Sequence, residues 1–262
     1  MAVALPLARC ALAGRPVRAF PLFDAHAHVG TWALFDSVPV AEQVAEMDRL
    51  GIRLAAVSSL PALAGDVRRG NDEVAVILRE YPDRFVGYAH VNPRYPAEMR
   101  PELERCFAQP GFKAIKVYQT GVPYDDAVFE PVWRFAQERR LPVLAHTWAG
   151  NLTGLDQAAR RHPDVAFLAA HAGSNFVYEP YVNAARAVPN LYLDITYSRD
   201  HTGLIGHFVA TVGADRIVWG TDAPLFSMAQ QTAKVLLAPI ADADKRQILG
   251  GTAAKLFGLD PD

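Results

Sequence analysis

Residues 20–30 read Phe-Pro-Leu-Phe-Asp-Ala-His-Ala-His-Val-Gly. An apolar opening of strand character runs straight into two histidines spaced i, i+2. An open doubly wound sheet normally carries a glycine-rich turn after its first strand. No Gly-x-Gly-x-x-Gly follows here, so the first strand argues for a closed barrel. Working outward, seven more β-rich runs recur: Leu54–Leu60, Arg84–Val91, Phe112–Tyr118, Pro142–Trp148, Ala166–Gly173, Leu191–Ser198 and Arg216–Asp222. With Phe20–Ala25 the strands number eight.

Amphipathic segments alternate with these runs. Val40–Leu50 carries Val44, Met47 and Leu50 on one stripe, and Asn71–Tyr81 carries Val74, Ile77 and Leu78. Asp125–Arg140, Ile205–Val212, Gln230–Leu237 and 242–257 show the same three-to-four spacing, the signature of a helix with one buried face. Strand then helix, repeated eight times, predicts the α/β class and a single-domain (β/α)8 TIM-like barrel over residues 1–262, with its core at 20–259.

The chain has 262 residues, 51% of them apolar and 21% charged, the usage of an ordinary globular protein. Lys plus Arg is 26 and Asp plus Glu is 28, a net charge of −2. That balance supplies no general attraction to phosphate backbones or anionic lipid, so neither nucleic acid nor membrane is an expected partner. Cys10 and Cys106 form no Cys-x-x-Cys pair and fit a reducing compartment. The apolar opening is interrupted by Pro6 and Arg9 and reads as no secretion signal, and no run reaches the length of a membrane span. The expectation is a cytoplasmic protein, with homodimerisation open, acting on a small molecule.

In a barrel the chemistry collects where strands end. Period-two alternation would put Asp24, His26 and His28 on one face of the first strand, and Phe23, Ala25 and Ala27 on the other. The fifth run leads to His146, the sixth to His171 and the eighth to Asp222. Each alone has a bland reading as a hydrogen-bonded rim residue or a helix cap. Together they would converge on one axis, and imidazole with carboxylate suits zinc or another first-row divalent ion. Thiolate ligation is excluded because neither cysteine falls at a strand end. Asp24 is expected either to accept an N–H from a ligating imidazole, fixing its tautomer, or to cap a backbone turn.

Several pieces resemble the amidohydrolase superfamily, in its branch of small metal-dependent hydrolases and decarboxylases. They are Asp-Ala-His-Ala-His (24–28), Gly-Phe-Lys-Ala-Ile-Lys (111–116), His146, His171, Trp-Gly-Thr-Asp-Ala-Pro (219–224) and the closing Ile-Leu-Gly-Gly-Thr-Ala-Ala-Lys-Leu-Phe-Gly-Leu (248–259). The resemblance implies one divalent ion, zinc before others, held by His26, His28, His146 and Asp222. It makes Asp222 and His171 the catalytic pair, with His171 a ligand only in two-metal members. Lys116 lies near a position where some two-metal members carry a carboxylated lysine; the expectation here is an unmodified, substrate-binding lysine.

The implied reaction is hydrolysis of an ester, lactone or amide bond by a metal-activated water. The alternative is non-oxidative decarboxylation of a small unsaturated or aromatic carboxylate, with Arg94, Lys116 or Arg199 meeting the carboxylate. A second alternative is an inert barrel used for binding. Trp32, Trp148 and Asn175 join Lys116 as expected substrate contacts, whereas Tyr118 and Tyr197 are expected to pack. His90 reads as structural or substrate-facing, and His162, His201 and His207 as surface or packing residues.

Overall fold

All eight runs form strands in a computed structural model that describes residues 6–32, 38–118, 120–198 and 203–259. They are β1 (Leu22–Val29), β2 (Ile52–Ser59), β3 (Phe85–Val91), β4 (Phe112–Val117), β5 (Val143–Ala145), β6 (Phe167–Ala169), β7 (Leu191–Asp194) and β8 (Ile217–Val218). Neighbours in sequence are neighbours in space, and every pairing is parallel. The seam closes where the Ala25 N–H donates to the Trp219 carbonyl (2.9 Å) and the Thr221 and Asp222 N–H groups donate to the His26 carbonyl (3.1 and 2.7 Å). The architecture is the expected single-domain (β/α)8 barrel. Among the described residues no helix is long and apolar enough to cross a membrane.

Strand side chains sort into two apolar layers. Val29, Val57, Val91, Ile115, Val143, Phe167, Leu193 and Ile217 pack outward against helices. Phe23, Ala25, Ala56, Val86, Tyr88, Ala114, Leu144, Leu168 and Val218 fill the lumen. β1 breaks the simple alternation. Asp24 pairs with Ala55 but Ala27 pairs with Val57, so three steps of β1 span two of β2. This bulge reverses the phase of the strand. Phe23 and Ala25 therefore point into the lumen, Ala27 turns outward, and His26 and His28 inherit the inward direction. The single shared face expected for Asp24, His26 and His28 does not form, because the bulge falls between Asp24 and Ala27.

The expected strands on the far side of the barrel are too long. β5, β6 and β8 stop before His146, His171 and Asp222, because the chain leaves ladder geometry to deliver those side chains. His171 (φ 60°) and Asp222 (φ 58°) adopt left-handed conformations. Helix Pro96–Phe107 was hidden in sequence by Pro96 and Pro101. The last segment splits into Asp242–Arg246, a π-turn at Gln247–Gly251 and Thr252–Phe257.

That last helix plugs the bottom of the lumen. Phe257 meets Phe23 edge-on at 5.0 Å and Tyr88 at 5.7 Å, and the Tyr88 hydroxyl donates to the Ala25 carbonyl (2.6 Å). Phe257→Ala removes the plug from a closed, buried space, and is expected to lower unfolding free energy by about 3–5 kcal/mol in a denaturant titration.

Candidate active site

The upper end of the lumen is polar on every strand. His26 and His28 come from β1, Ser58 from β2, His90 from β3, Lys116 from β4 and Asp194 from β7. His146, His171 and Asp222 follow β5, β6 and β8. All are buried except His146, which is half-buried. Polar atoms so enclosed must satisfy one another, and their pairing fixes the tautomers.

His26 Nδ1 donates to Asp194 Oδ2 (2.7 Å), which leaves a lone pair on Nε2. Lys116 Nζ donates to that lone pair at 2.9 Å. His171 Nδ1 donates to the Thr196 carbonyl (3.2 Å), so its Nε2 is also an acceptor. His28 Nε2 donates to Asp222 Oδ1 (2.9 Å), and the Ser58 hydroxyl supplies the hydrogen at Nδ1 (2.9 Å). Asp222 Oδ1 lies 3.5 Å from His26 Nε2.

Donor atoms of His26, His171 and Asp222 all lie within 4.8 Å of one another. Tetrahedral bonds of about 2.1 Å place donors about 3.4 Å apart, so the three fit a divalent ion once the Lys116 ammonium yields the His26 lone pair. His28 and His146 adjoin this trio. His28 spends Nε2 on Asp222, and the His146 ring sits 4.8 Å from that of His171, toward the mouth. Gly220 makes the approach possible: a Cβ there would stand 2.5 Å from the His26 Cβ and 2.4 Å from Thr196 Oγ1.

Asp24 has a different task from orienting a ring. Its Oδ1 accepts the backbone N–H groups of His26 (3.1 Å) and Thr221 (3.0 Å), and its Oδ2 takes the Thr221 hydroxyl. The orienting carboxylate is Asp194, at the end of Leu-Tyr-Leu-Asp. The same signal that singled out Asp222, an acid closing an apolar run, was available to find it.

Burial governs the ionisation. It pushes His26 and His146 well below the ordinary imidazole range and His171 to about 4. It pushes Lys116 down to about 8, against the pull of Asp222 and Asp194. Burial alone would raise Asp222, but the His28 hydrogen bond and neighbouring imidazoles outweigh it and hold the carboxyl below its usual range. No carboxylate lies within 4 Å of the Lys116 ammonium among the described residues.

Aromatic rings wall the mouth. Trp148 lies parallel to His146 (6.3 Å, 4°) and to Tyr197 (5.1 Å, 18°), and Tyr197 meets Phe226 at 4.3 Å. Tyr118 covers His146 at 4.5 Å. Tyr118 and Tyr197 line this wall beside Trp148 instead of packing beneath helices. Trp32 is half-buried and makes no ring contact with the cluster among the described residues. Asn175 is exposed in the turn Ser174–Phe176 and hydrogen-bonds to none of the described site residues. Arg94 is exposed and donates to the Thr120 carbonyl. His162 is buried between Gln137 and Glu130, and His207 is exposed. Arg199 and His201 lie outside the described residues.

A (β/α)8 barrel with a buried His/His/Asp cluster at its carboxyl-terminal mouth defines a class of metal-site barrel enzymes. A family model described as Amidohydrolase matches residues 23–259. The chain belongs to the amidohydrolase family. It is 25% identical over 249 residues to a gamma-resorcylate decarboxylase of a Polaromonas species, covering 74% of this chain and 76% of that protein. Dihydroxybenzoic acid decarboxylase from Polaromonas, solved with manganese and 2-nitroresorcinol, superposes with a TM-score of 0.77 at 21% identity, over 91% of this chain and 97% of that one. The 5-carboxyvanillate decarboxylase of Sphingomonas paucimobilis gives 0.75 at 18%, over 92% and 100%.

Acid stability offers a check on the buried imidazoles. His90 is held neutral, its burial pushing it to about 3, against about 6.5 in the unfolded chain. Between those values the unfolded state binds more protons, so stability falls as pH drops from about 6.5 toward 3, by up to about 1.4 kcal/mol per pH unit. Thermal midpoints of metal-free protein should show this slope, and His90→Gln should flatten it; equal slopes would remove the buried, neutral assignment.

Proposed function

We propose that this chain is a divalent-metal-dependent, non-oxidative decarboxylase of a small aromatic carboxylate. The expectation of hydrolysis gives way to its alternative because the relatives named above are decarboxylases. Within the site the reading is carried by Lys116, an ammonium 1% exposed with no carboxylate partner within 4 Å among the described residues. A buried cation of that kind calls for an anionic ligand. Water activation has no need of it; a substrate carboxylate does.

An ion held by His26, His171 and Asp222, with His28 and His146 adjoining, would supply positive charge for the substrate's oxygens. Manganese, found in the Polaromonas structure, and zinc both suit imidazole and carboxylate donors. Lys116 Nζ would take one carboxylate oxygen. The parallel faces of Trp148 and Tyr197 would hold a planar ring and keep water from it. Proton movement is assigned to Asp222, through the carboxylate oxygen the ion would leave free and with solvent as the proton source; His171, whose Nδ1–H goes to the Thr196 carbonyl and whose Nε2 would meet the ion, is assigned to holding the ion instead. A proton reaches the ring carbon that bears the carboxylate, the bond from that carbon to the carboxyl carbon breaks, and its electron pair returns to the ring. One carbon dioxide leaves and no water is added.

Purified protein should release carbon dioxide from hydroxylated benzoates, lose that activity on chelation, and regain it with manganese or zinc. Water incorporation from lactones or esters without carbon dioxide release would reinstate hydrolysis. Lys116→Met should raise KM for the carboxylate by about 10–100-fold, the scale of one charged hydrogen bond, in steady-state kinetics; an unchanged KM would take the carboxylate away from Lys116.

A further inference from the structure

His90 is the next-to-last residue of β3, and the reaction above makes no use of it. It follows Val86 and Tyr88 on the lumen face, pairs with Lys116 across the β3–β4 ladder, and is 2% exposed. Its backbone is gripped at both polar atoms by one side chain. Asn71 Nδ2 donates to the His90 carbonyl and the His90 N–H donates to Asn71 Oδ1, each at 2.9 Å. Asn71 is itself buried and anchored on Glu102 Oε1 (2.8 Å), which Arg105 holds in turn.

The ring is fixed as firmly. Nδ1 lies 3.0 Å from the Lys116 carbonyl oxygen. A carbonyl only accepts, so Nδ1 carries the hydrogen and Nε2 the lone pair. Nε2 has no hydrogen-bond partner among the described residues. Among the described residues the polar atoms sealed away without a partner are Thr120 Oγ1, Arg216 Nε and Asp242 Oδ1, and His90 Nε2 is not one of them. Tyr88 and Phe257 fill the lumen below His90, which leaves the mouth as the side from which a ligand would meet this atom.

We propose that His90 Nε2 is a specificity determinant that accepts a hydrogen bond from a hydroxyl group on the substrate ring, ortho to the carboxylate taken by Lys116. The inference rests on the aromatic-carboxylate reading of the site and adds the residue that selects among such acids. Lys116 and His90 sit side by side, a donor next to an acceptor. An ortho-hydroxy acid presents the complement, an acceptor carboxylate next to a donor hydroxyl. The acceptor is ordered before the ligand arrives, so little is lost in aligning it. An analogue with a methoxy group leaves the buried lone pair unmatched, which is how a polar site rejects a near-isostere. His90 stays neutral above about pH 3, so Nε2 keeps its lone pair at every assay pH.

The test uses 2-hydroxybenzenesulfonate and 2-methoxybenzenesulfonate, which cannot lose carbon dioxide, so binding is read apart from turnover. Calorimetry on the metal-loaded full chain should show the hydroxy compound bound about fivefold to tenfold tighter. His90→Phe should erase the preference, and His90→Gln, whose Oε1 can accept, should restore most of it. In wild-type protein labelled at histidine, the Nε2 nitrogen resonance of His90 should shift with the hydroxy compound and stay in place with the methoxy compound. A preference unchanged in His90→Phe, an unmoved resonance, or wild-type protein that binds both alike or neither would overturn the assignment. Failure of the reaction itself looks different: no acid would release carbon dioxide, while the hydroxyl preference would still follow His90.

Discussion

The hydrogen bond from His26 Nδ1 to Asp194 Oδ2 is the contact on which the site depends. It crosses the lumen from β1 to β7, with both side chains fully enclosed. A carboxylate can only accept, so the bond settles which nitrogen of His26 carries hydrogen and turns the other toward Lys116, Asp222 and His171. Such partners behind a ligating histidine set its orientation and basicity. Asp194 is secured in its turn by the Thr196 N–H at 3.0 Å. A second buried carboxylate, Asp24, ties β1 to the chain beyond β8 through Thr221. These two acids tie the histidine strand to β7 and to the chain beyond β8.

Around that frame the charges are few and enclosed. The Lys116 ammonium is opposed by the carboxylates of Asp222 and Asp194, while burial keeps the imidazoles neutral. In a poorly hydrated pocket each charge acts at greater strength than it would in water. The aromatic wall of Trp148, Tyr197, Phe226 and Tyr118 sustains that condition and offers flat faces to a ring. Polar side chains at the floor and flat faces at the wall suit the flat organic anion proposed as substrate.

The backbone bears a cost for this convergence. His171, Tyr197 and Asp222 are left-handed without being glycine, a conformation costing on the order of 1–3 kcal/mol each. All three stand just past a strand end. A strand can aim only alternate residues at the lumen; a left-handed residue re-aims the chain where the ladder has stopped. Gly220 belongs to the same solution, since a larger residue would collide with His26.

The amino-acid sequence by itself determined the barrel, because eight apolar runs alternating with amphipathic segments have few ways to bury both strand faces. It also marked His26, His28, His146, His171, Lys116 and Asp222, because polar residues closing apolar runs stand out locally. Tertiary structure decided what each one touches. The β1 bulge is a mismatch between two strands and leaves no trace in either one alone, so of the two roles the sequence leaves open for Asp24 only the structure selects the backbone one. Asp194 became the orienting acid, and His90 an open acceptor, through partners 168 and 26 positions away. Hydrogen-bond partnership across a closed barrel depends on distance and direction in space, and a linear pattern carries neither.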